Sequence, residues 1–313
     1  MMQDNLCRVL DTKDGLSPLV SIGMPAFNCE ATLATAIRSI LNQSYTNWEL
    51  LLMEDGSNDR TLEVARSFSD PRIAVLADNS HQGLVSRLNQ AVARSRGQYF
   101  ARMDADDVSY PERLERQLSY LESHSEIDLV GCAMLIFKTG GLPIGRRAAP
   151  STHEEICKRP LDGFYIAHAT WMGRIPWFRA HPYDAGAVRA EDQVLLFKSY
   201  STSHFASLPE ILYACREDSL VLGKILRGRY SFAVAVSKAL LAGGQYVTSA
   251  EKLLIQTCKA LCDIIATLTG LKYIVLTHRA RPLAPGNKQR WAEIWPQVQD
   301  KRRPVDGGLE ILG

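Results

Sequence analysis

Three acidic clusters in this 313-residue chain have the residue types and spacing to do chemistry. The densest is Asp104-Ala105-Asp106-Asp107, directly after the strand-like run Gln98 to Met103. Three carboxylates within four residues repel one another unless a cation is present. Hard oxygen ligands held at a strand end suit Mg2+ or Mn2+, with substrate phosphates completing the shell. The other reading is an acidic start to the helix opened by Pro111, and it suits Asp107 best. For Asp104 and Asp106 the strand-end placement favours the metal.

The second cluster centres on Asp55, ahead of Gly56-Ser57. A carboxylate on a tight, solvent-facing turn at a strand end can accept hydrogen bonds from a base or a ribose. Asp-Gly is also common turn chemistry, so both readings stay open. The third is Glu191-Asp192, leading the apolar run Val194 to Phe197. It is either a general base or a helix start. His168, before Ala169-Thr170, lines a site or simply packs.

Some motifs are missing. No G-x-x-x-x-G-K-[ST] and no G-x-G-x-x-G occurs, so a bound nucleotide diphosphate would need a metal instead of a glycine-rich cradle. No G-x-S-x-G elbow is present. His81, His153, His168, His181 and His204 lack metal-ligand spacing, which argues against a metalloprotease.

The elements that must position these residues alternate strand and helix. Leu19 to Met24 reads as a buried strand that stops at Pro25. Ala31 to Gln43 reads as a helix, with Asn28 as its N-cap and Glu30 at the positive end of its dipole. Trp48 to Met53 and Arg72 to Leu76 read as strands, Thr61 to Phe68 and Leu84 to Ser95 as helices. Pro111 starts a further helix with Leu114, Leu118 and Leu121 on its buried face. This alternation predicts a mixed, mostly parallel α/β sheet flanked by helices, with ligands beyond the carboxyl ends of the strands.

After about Asp218 the pattern becomes helical. Leu220 to Leu241 and Ala250 to Leu268 read as two helices joined at Gly243-Gly244. A basic segment follows, with Lys272, Arg279, Arg281, Lys288, Arg290, Lys301, Arg302 and Arg303 around Trp291 and Trp295. The division expected is an N-terminal tail at 1–17, an α/β domain at 18–218 and a helical appendage at 219–313.

Composition narrows the class. Lys and Arg number 36 against 34 Asp and Glu, a formal charge of +2 that gives no nucleic-acid footprint. Seven scattered Cys argue against a disulfide framework and for a reducing, cytoplasmic compartment. Cys258 and Cys262 lie one helical turn apart, without a second pair for zinc. The first 17 residues lack an apolar h-region. The apolar stretch Ala260 to Thr277 is interrupted by Asp263, Gly270 and Lys272, so it reads as a surface-lying helix and not a span.

Taken in order, these pieces resemble family 2 glycosyltransferases of the GT-A fold, from about Pro18 to Glu217. The resemblance is carried by Val20-Ser21-Ile22, Pro25-Ala26-Phe27-Asn28, Ser39-Ile40-Leu41-Asn42-Gln43 and Glu54-Asp55-Gly56-Ser57. Leu88-Asn89, Gly97-Gln98-Tyr99, Arg102 to Asp107, Pro111 to Leu114, His168-Ala169-Thr170 and Glu191-Asp192 extend it. Two departures are Glu54, where the family commonly has Asp, and Phe27, where it commonly has Tyr.

The resemblance implies roles. Pro25, Ala26, Asn28 and Glu30 would sit by the nucleotide and Asp55 would bind the base. Asp104 would approach the ribose or the metal-bound phosphate, and Asp106 would ligate the metal. Asp192, with Glu191 beside it, would be the catalytic base. The implied reaction is metal-dependent, inverting transfer from a nucleotide-sugar, a UDP-sugar first among donors, to a saccharide or lipid-linked acceptor. Polysaccharide or glycoconjugate synthesis is the expected setting.

Alternatives remain. The basic, Trp-containing tail motivates transfer to a lipid-phosphate acceptor, with peripheral contact at the inner face of the membrane. A nucleotidyltransferase would also join metal to nucleotide, but Pro25 to Glu30 lacks its basic, glycine-rich loop. A non-catalytic nucleotide-sugar-binding module would bind donor without turnover.

Overall fold

The computed structural model describes residues 17–218, 221–269, 271 and 280–299. The first half alternates β1 (Val20–Ala26), α1 (Leu33–Leu41), β2 (Trp48–Glu54), α2 (Thr61–Arg66), β3 (Ile73–Ala77), α3 (Leu84–Arg94) and β4 (Tyr99–Arg102). Strand β2 is buried along its whole length. Leu50 and Leu52 point to the face covered by α1, while Leu51 and Met53 point to the face covered by α3. A strand buried on both faces needs apolar residues without alternation, and the sequence Leu50-Leu51-Leu52-Met53 supplies them.

Then come β5 (Val108–Ser109), α4 (Arg113–Ser123), β6 (Leu129–Lys138), β7 (Leu142–Arg147), α5 (His153–Ile156), β8 (Met172–Arg174), α6 (Ile175–Ala180), α7 (Glu191–Ser199) and β9 (Phe205–Arg216). The sheet runs β3-β2-β1-β4-β8-β6-β9-β5, with β7 on β6. Its first four strands are mutually parallel, and β6 and β9 form a further parallel pair. Strands β8, β7 and β5 join antiparallel, giving a mixed sheet with helices on both faces. The carboxyl ends of β1, β2 and β4 share one edge, where Asp55 and the cluster at 104–107 emerge.

Local boundaries differ from expectation in instructive ways. Strand β1 continues through Pro25, which keeps its place opposite Met53. Asn28 caps nothing: its φ is 47°, a left-handed conformation that Asn tolerates, and α1 starts at Leu33 after Thr32. The helix after Pro111 starts at Arg113.

The C-terminal region is helical: α8 (Leu222–Ala242), α9 (Tyr246–Leu268) and α10 (Pro285–Gln299). Helices α8 and α9 form a hairpin through Gly243-Gly244, where Gly244 has φ +73°. The second helix starts four residues earlier than Ala250. Phe232, Val236 and Leu240 of α8 pack on Val194 of α7. Helix α10 seats Trp291, Ile294 and Val298 against Phe137, Tyr110 and Leu135. Trp291 is buried and Trp295 partly so, which places the two indoles against the sheet and not on a lipid-facing surface. Lys272, Arg279, Lys301, Arg302 and Arg303 lie outside the described residues, as does the N-terminal tail but for Ser17. Among the described residues no helix is long and apolar enough to cross a membrane.

Candidate functional site

Two clefts open along the acidic edge. The smaller, about 370 Å³, is lined by Pro25, Phe27, Asn28, Glu30, Asp104 and Asp106, among others. Two loops are knitted together to build it. The Asn28 amide donates to Ser57 Oγ at 3.0 Å, and Asn28 Oδ1 accepts from the Asn58 amide at 3.0 Å. Glu30 accepts from the Arg60 amide at 2.9 Å. The left-handed turn at Asn28 is thus fixed by its partners across the loop.

Ala26 stays inside β1, where its carbonyl accepts from the Asp55 amide at 2.9 Å. Asp55 itself is buried instead of facing solvent. Its carboxylate accepts from the Gln82 amide at 2.8 Å, the Gly83 amide at 3.0 Å and Arg87 Nε at 2.8 Å. His81 Nδ1 lies 3.0 Å from Asp55 Oδ2, and its ring lies tilted against Phe27 with centroids 4.3 Å apart. Glu54 caps the turn, accepting from the Ser57 amide at 2.6 Å and the Gly56 amide at 3.1 Å.

Asp104, Asp106 and Asp107 bring one carboxylate oxygen each to within 4.8 Å of one another. Asp107 Oδ1 accepts from the Arg216 amide at 2.7 Å, while its Oδ2 is buried with no partner. An orphaned buried carboxylate oxygen among like charges is what a divalent cation would satisfy, so these residues fit Mg2+ or Mn2+. Desolvation in the cleft, then the neighbouring Asp104 charge, pushes the Asp106 carboxyl up to about 6. Burial, then Asp106, raises Asp107 well above the usual range. Both shifts mark sites where a cation would favour the ionised form.

Sequence reasoning assigned no role to the cations here. Arg102 lies two residues before Asp104, a spacing that places both on one face of a strand end. Arg216 ends β9, and its Nε donates to the Asp106 carbonyl at 3.0 Å across 110 residues, a pairing no local signal announces.

The larger cleft, about 1050 Å³, contains Asp192 and Gln193. Asp192 is half-buried at the start of α7, and Glu191 is buried beside it without lining this cleft. Gln193 fixes the facing loop by accepting from the Phe164 amide at 2.8 Å and donating to its carbonyl at 3.3 Å. It also donates to Asp192 Oδ2 at 3.3 Å. Desolvation raises the Asp192 pKa above the usual carboxylate range; burial, then Asp192, does the same for Glu191.

Arg102 joins the two clefts electrostatically, since its charge acts on Asp104, Glu191 and Asp192. Behind it His168 bonds Tyr183 Oη at 2.9 Å. Burial, then Arg102, holds the His168 imidazole well below its usual range, so it is neutral. The arrangement brings a cation site and a desolvated carboxylate to neighbouring clefts around one buried guanidinium.

Comparison with known proteins gives concordant results. The Glycosyl transferase family 2 model matches residues 21–181. EpsE of Bacillus subtilis (strain 168), named provisionally as a glycosyltransferase, is 36% identical over 231 residues, 72% of this chain and 80% of its own. The Escherichia coli UDP-Glc:alpha-D-GlcNAc-diphosphoundecaprenol beta-1,3-glucosyltransferase WfgD is 40% identical over 103 residues, 33% of this chain and 41% of its own. The mannosyltransferase PcManGT from Pyrobaculum calidifontis, solved with GDP-Man and Mn2+, superposes with a TM-score of 0.52 over 94% of this chain and 90% of its own. At 15% identity, that last likeness is one of fold.

Proposed function

We propose, on the premise that this chain belongs to glycosyl transferase family 2 and carries its GT-A fold, that it moves a sugar from a nucleotide-diphosphate donor to an acceptor hydroxyl with inversion. The observation that carries this reading is the pairing of a metal-competent acidic edge with a desolvated carboxylate in the adjoining cleft. In this reading 18–218 is the catalytic domain and 219–313 a helical appendage.

The nucleotide occupies the smaller cleft, with Pro25, Asn28 and Glu30 along its wall and the Phe27 ring available to a base. Asp55 acts on the base through the loop it anchors at 81–83. A divalent cation on Asp104, Asp106 and Asp107, Mn2+ or Mg2+, would offset charge on the departing diphosphate. Arg216 adds a fixed positive charge at the same edge. Asp192 takes the proton of the acceptor hydroxyl as that oxygen attacks C1 from the face opposite the diphosphate. A raised pKa suits this task, because a stronger base pulls harder on the proton. One displacement inverts the anomeric centre.

The name of WfgD supports a UDP-sugar donor and a saccharide or lipid-linked acceptor. Peripheral contact at the inner, cytoplasmic face of a membrane accords with α9, which exposes Val247, Leu254, Leu261 and Leu268 at heptad spacing. A thermal-shift panel of UDP-, GDP- and dTDP-sugars with Mn2+ or Mg2+ tests the donor. A ligand at 100 times its Kd stabilises the fold by about 2.7 kcal/mol, so one base should stand out. No shift with any of them, in either metal, would end this reading.

A further inference from the structure

Arg216 is the last residue of β9, and the parallel register of β6 and β9 sets it beside Phe137. Partners in register project to one face of a sheet, and here the guanidinium carbon lies 4.9 Å from the centre of the Phe137 ring. Two hydrogen bonds fix the head group further. Nε donates to the Asp106 carbonyl at 3.0 Å and Nη1 to Thr139 Oγ1 at 3.3 Å. Thr139 is itself held, its amide and hydroxyl donating to the Asp218 carboxylate at 2.6 and 2.8 Å. Arg216 lines the smaller cleft with Asp104 and Asp106, yet among the described residues it forms no ion pair and its Nη2 meets no acceptor.

The same phenyl ring is the seat of α10. Trp291 and Trp295 pack their indoles on it, with centroids 4.9 and 5.4 Å away, and Phe137 is left with no exposed surface. The turn that follows Phe137, Thr139 to Gly141, is gripped as well. Trp291 Nε1 donates to the Gly141 carbonyl at 2.7 Å, and a Cβ added at Gly141 would lie 2.3 Å from the Trp295 ring. Glycine alone lets the indole lie there, and its φ of +83° asks for glycine too. Helix α10 thus reaches Arg216 by two routes, through the Phe137 ring and through the turn that carries Thr139.

We propose that Arg216 binds the diphosphate of the donor directly, and that Phe137 and Trp295 are positioning residues that hold its guanidinium at the cleft. This rests on the glycosyl-transfer reading and gives the helical appendage a part in donor binding. A guanidinium offers forked N–H donors that match phosphate oxygens. One already stacked and hydrogen-bonded has lost beforehand much of the freedom that binding would cost. It also adds positive charge where a divalent cation offsets only part of the charge on a diphosphate. Arg216 and α10 lie beyond the family match at 21–181, so this part of the donor site comes from residues outside that match.

Calorimetry on the full chain in Mg2+ tests it with UDP, UMP and pyrophosphate; GDP with GMP, or dTDP with dTMP, replaces the uridine pair if it binds more tightly. Arg216→Gln should weaken UDP about 10- to 100-fold and UMP less, since UMP lacks the second phosphate, with partial recovery in Arg216→Lys. Phe137→Leu removes the flat ring under the guanidinium, and Trp295→Leu loosens that ring from a less buried site. Each should lower the UDP-to-UMP affinity ratio about 3- to 10-fold, and Trp295→Phe should keep it. Combined with Arg216→Gln, neither Leu variant should lower the ratio further, because both act through the same guanidinium. A merely structural loss would weaken UDP and UMP alike and would add to Arg216→Gln. An unchanged ratio in Arg216→Gln overturns the proposal while UDP binding upholds the donor reading. Additive losses in the double variants overturn the positioning role. If no nucleoside diphosphate binds but pyrophosphate does, and loses affinity in Arg216→Gln, the donor reading fails while the diphosphate site stands. A wild type that binds none of these probes overturns both.

Discussion

Arg102 grips Asp104 through two hydrogen bonds, 3.0 Å from Nη1 to Oδ2 and 2.5 Å from Nη2 to Oδ1, from a guanidinium buried behind the acidic edge. One carboxylate of the cluster is therefore matched by the protein. Asp106 forms no such ion pair among the described residues.

Replacing Asp106 should test this directly. Asp106→Ala is expected to lose the Mn2+-dependent part of UDP affinity and to lower turnover by about 10²- to 10³-fold, the usual cost of removing one stabiliser of developing negative charge. Titration of UDP with and without Mn2+ reads the first, and full activity after exhaustive chelation would refute the metal.

Asp192→Asn should lower kcat by about 10²- to 10⁴-fold and leave the donor Kd unchanged. A base must be ionised to work, and burial raises the Asp192 pKa. Wild-type kcat should therefore fall as pH drops through a value above the ordinary carboxylate range, and the variant should lose that limb. Wild-type kcat in Asp192→Asn together with an inactive Glu191→Gln would transfer the role to Glu191.

Asp55→Ala should destabilise the fold by about 3 kcal/mol, read from urea unfolding. That is the lower end for breaking a buried ion pair, because Arg87 keeps Asp78 at 2.6 Å. UDP affinity should fall with it as the loop at 81–83 loses its anchor. Unchanged stability would mean the carboxylate is free to serve the nucleotide alone.

Trp291→Ala should cost about 3–5 kcal/mol as a buried aromatic removed from Phe137 and Tyr110. It also strands the Gly141 carbonyl, which accepts from Trp291 Nε1 at 2.7 Å. Unfolding midpoints of this variant and of Trp295→Ala, which is less buried, should separate clearly.

Much of this was legible because it is local. The apolar runs at 20–24 and 48–53 dictate buried parallel strands, and a carboxylate cluster after a strand falls at the ligand edge by the geometry of such sheets. What escaped depends on distant partners. Asp55 reads as a solvent-facing turn until Arg87 and the amides of 82 and 83 close over it. Trp291 reads as part of a lipid-seeking tail until β6 supplies its seat. Asn28 reads as a helix cap because the sequence does not reveal that Ser57 and Asn58 hold it in a left-handed turn.

The seat of α10 also has a bearing on how the chain is made. Trp291 closes over Gly141 and Phe137 from 150 residues downstream. At 5–20 residues per second, a ribosome needs roughly 8–30 s to cover that interval. Through that time the face of β6 that bears Phe137 and Leu135 has no cover from α10 on the nascent chain. Strand β6 therefore waits for a helix made far downstream, and that interval is when chaperone capture or mispairing of the open strand face would compete with folding.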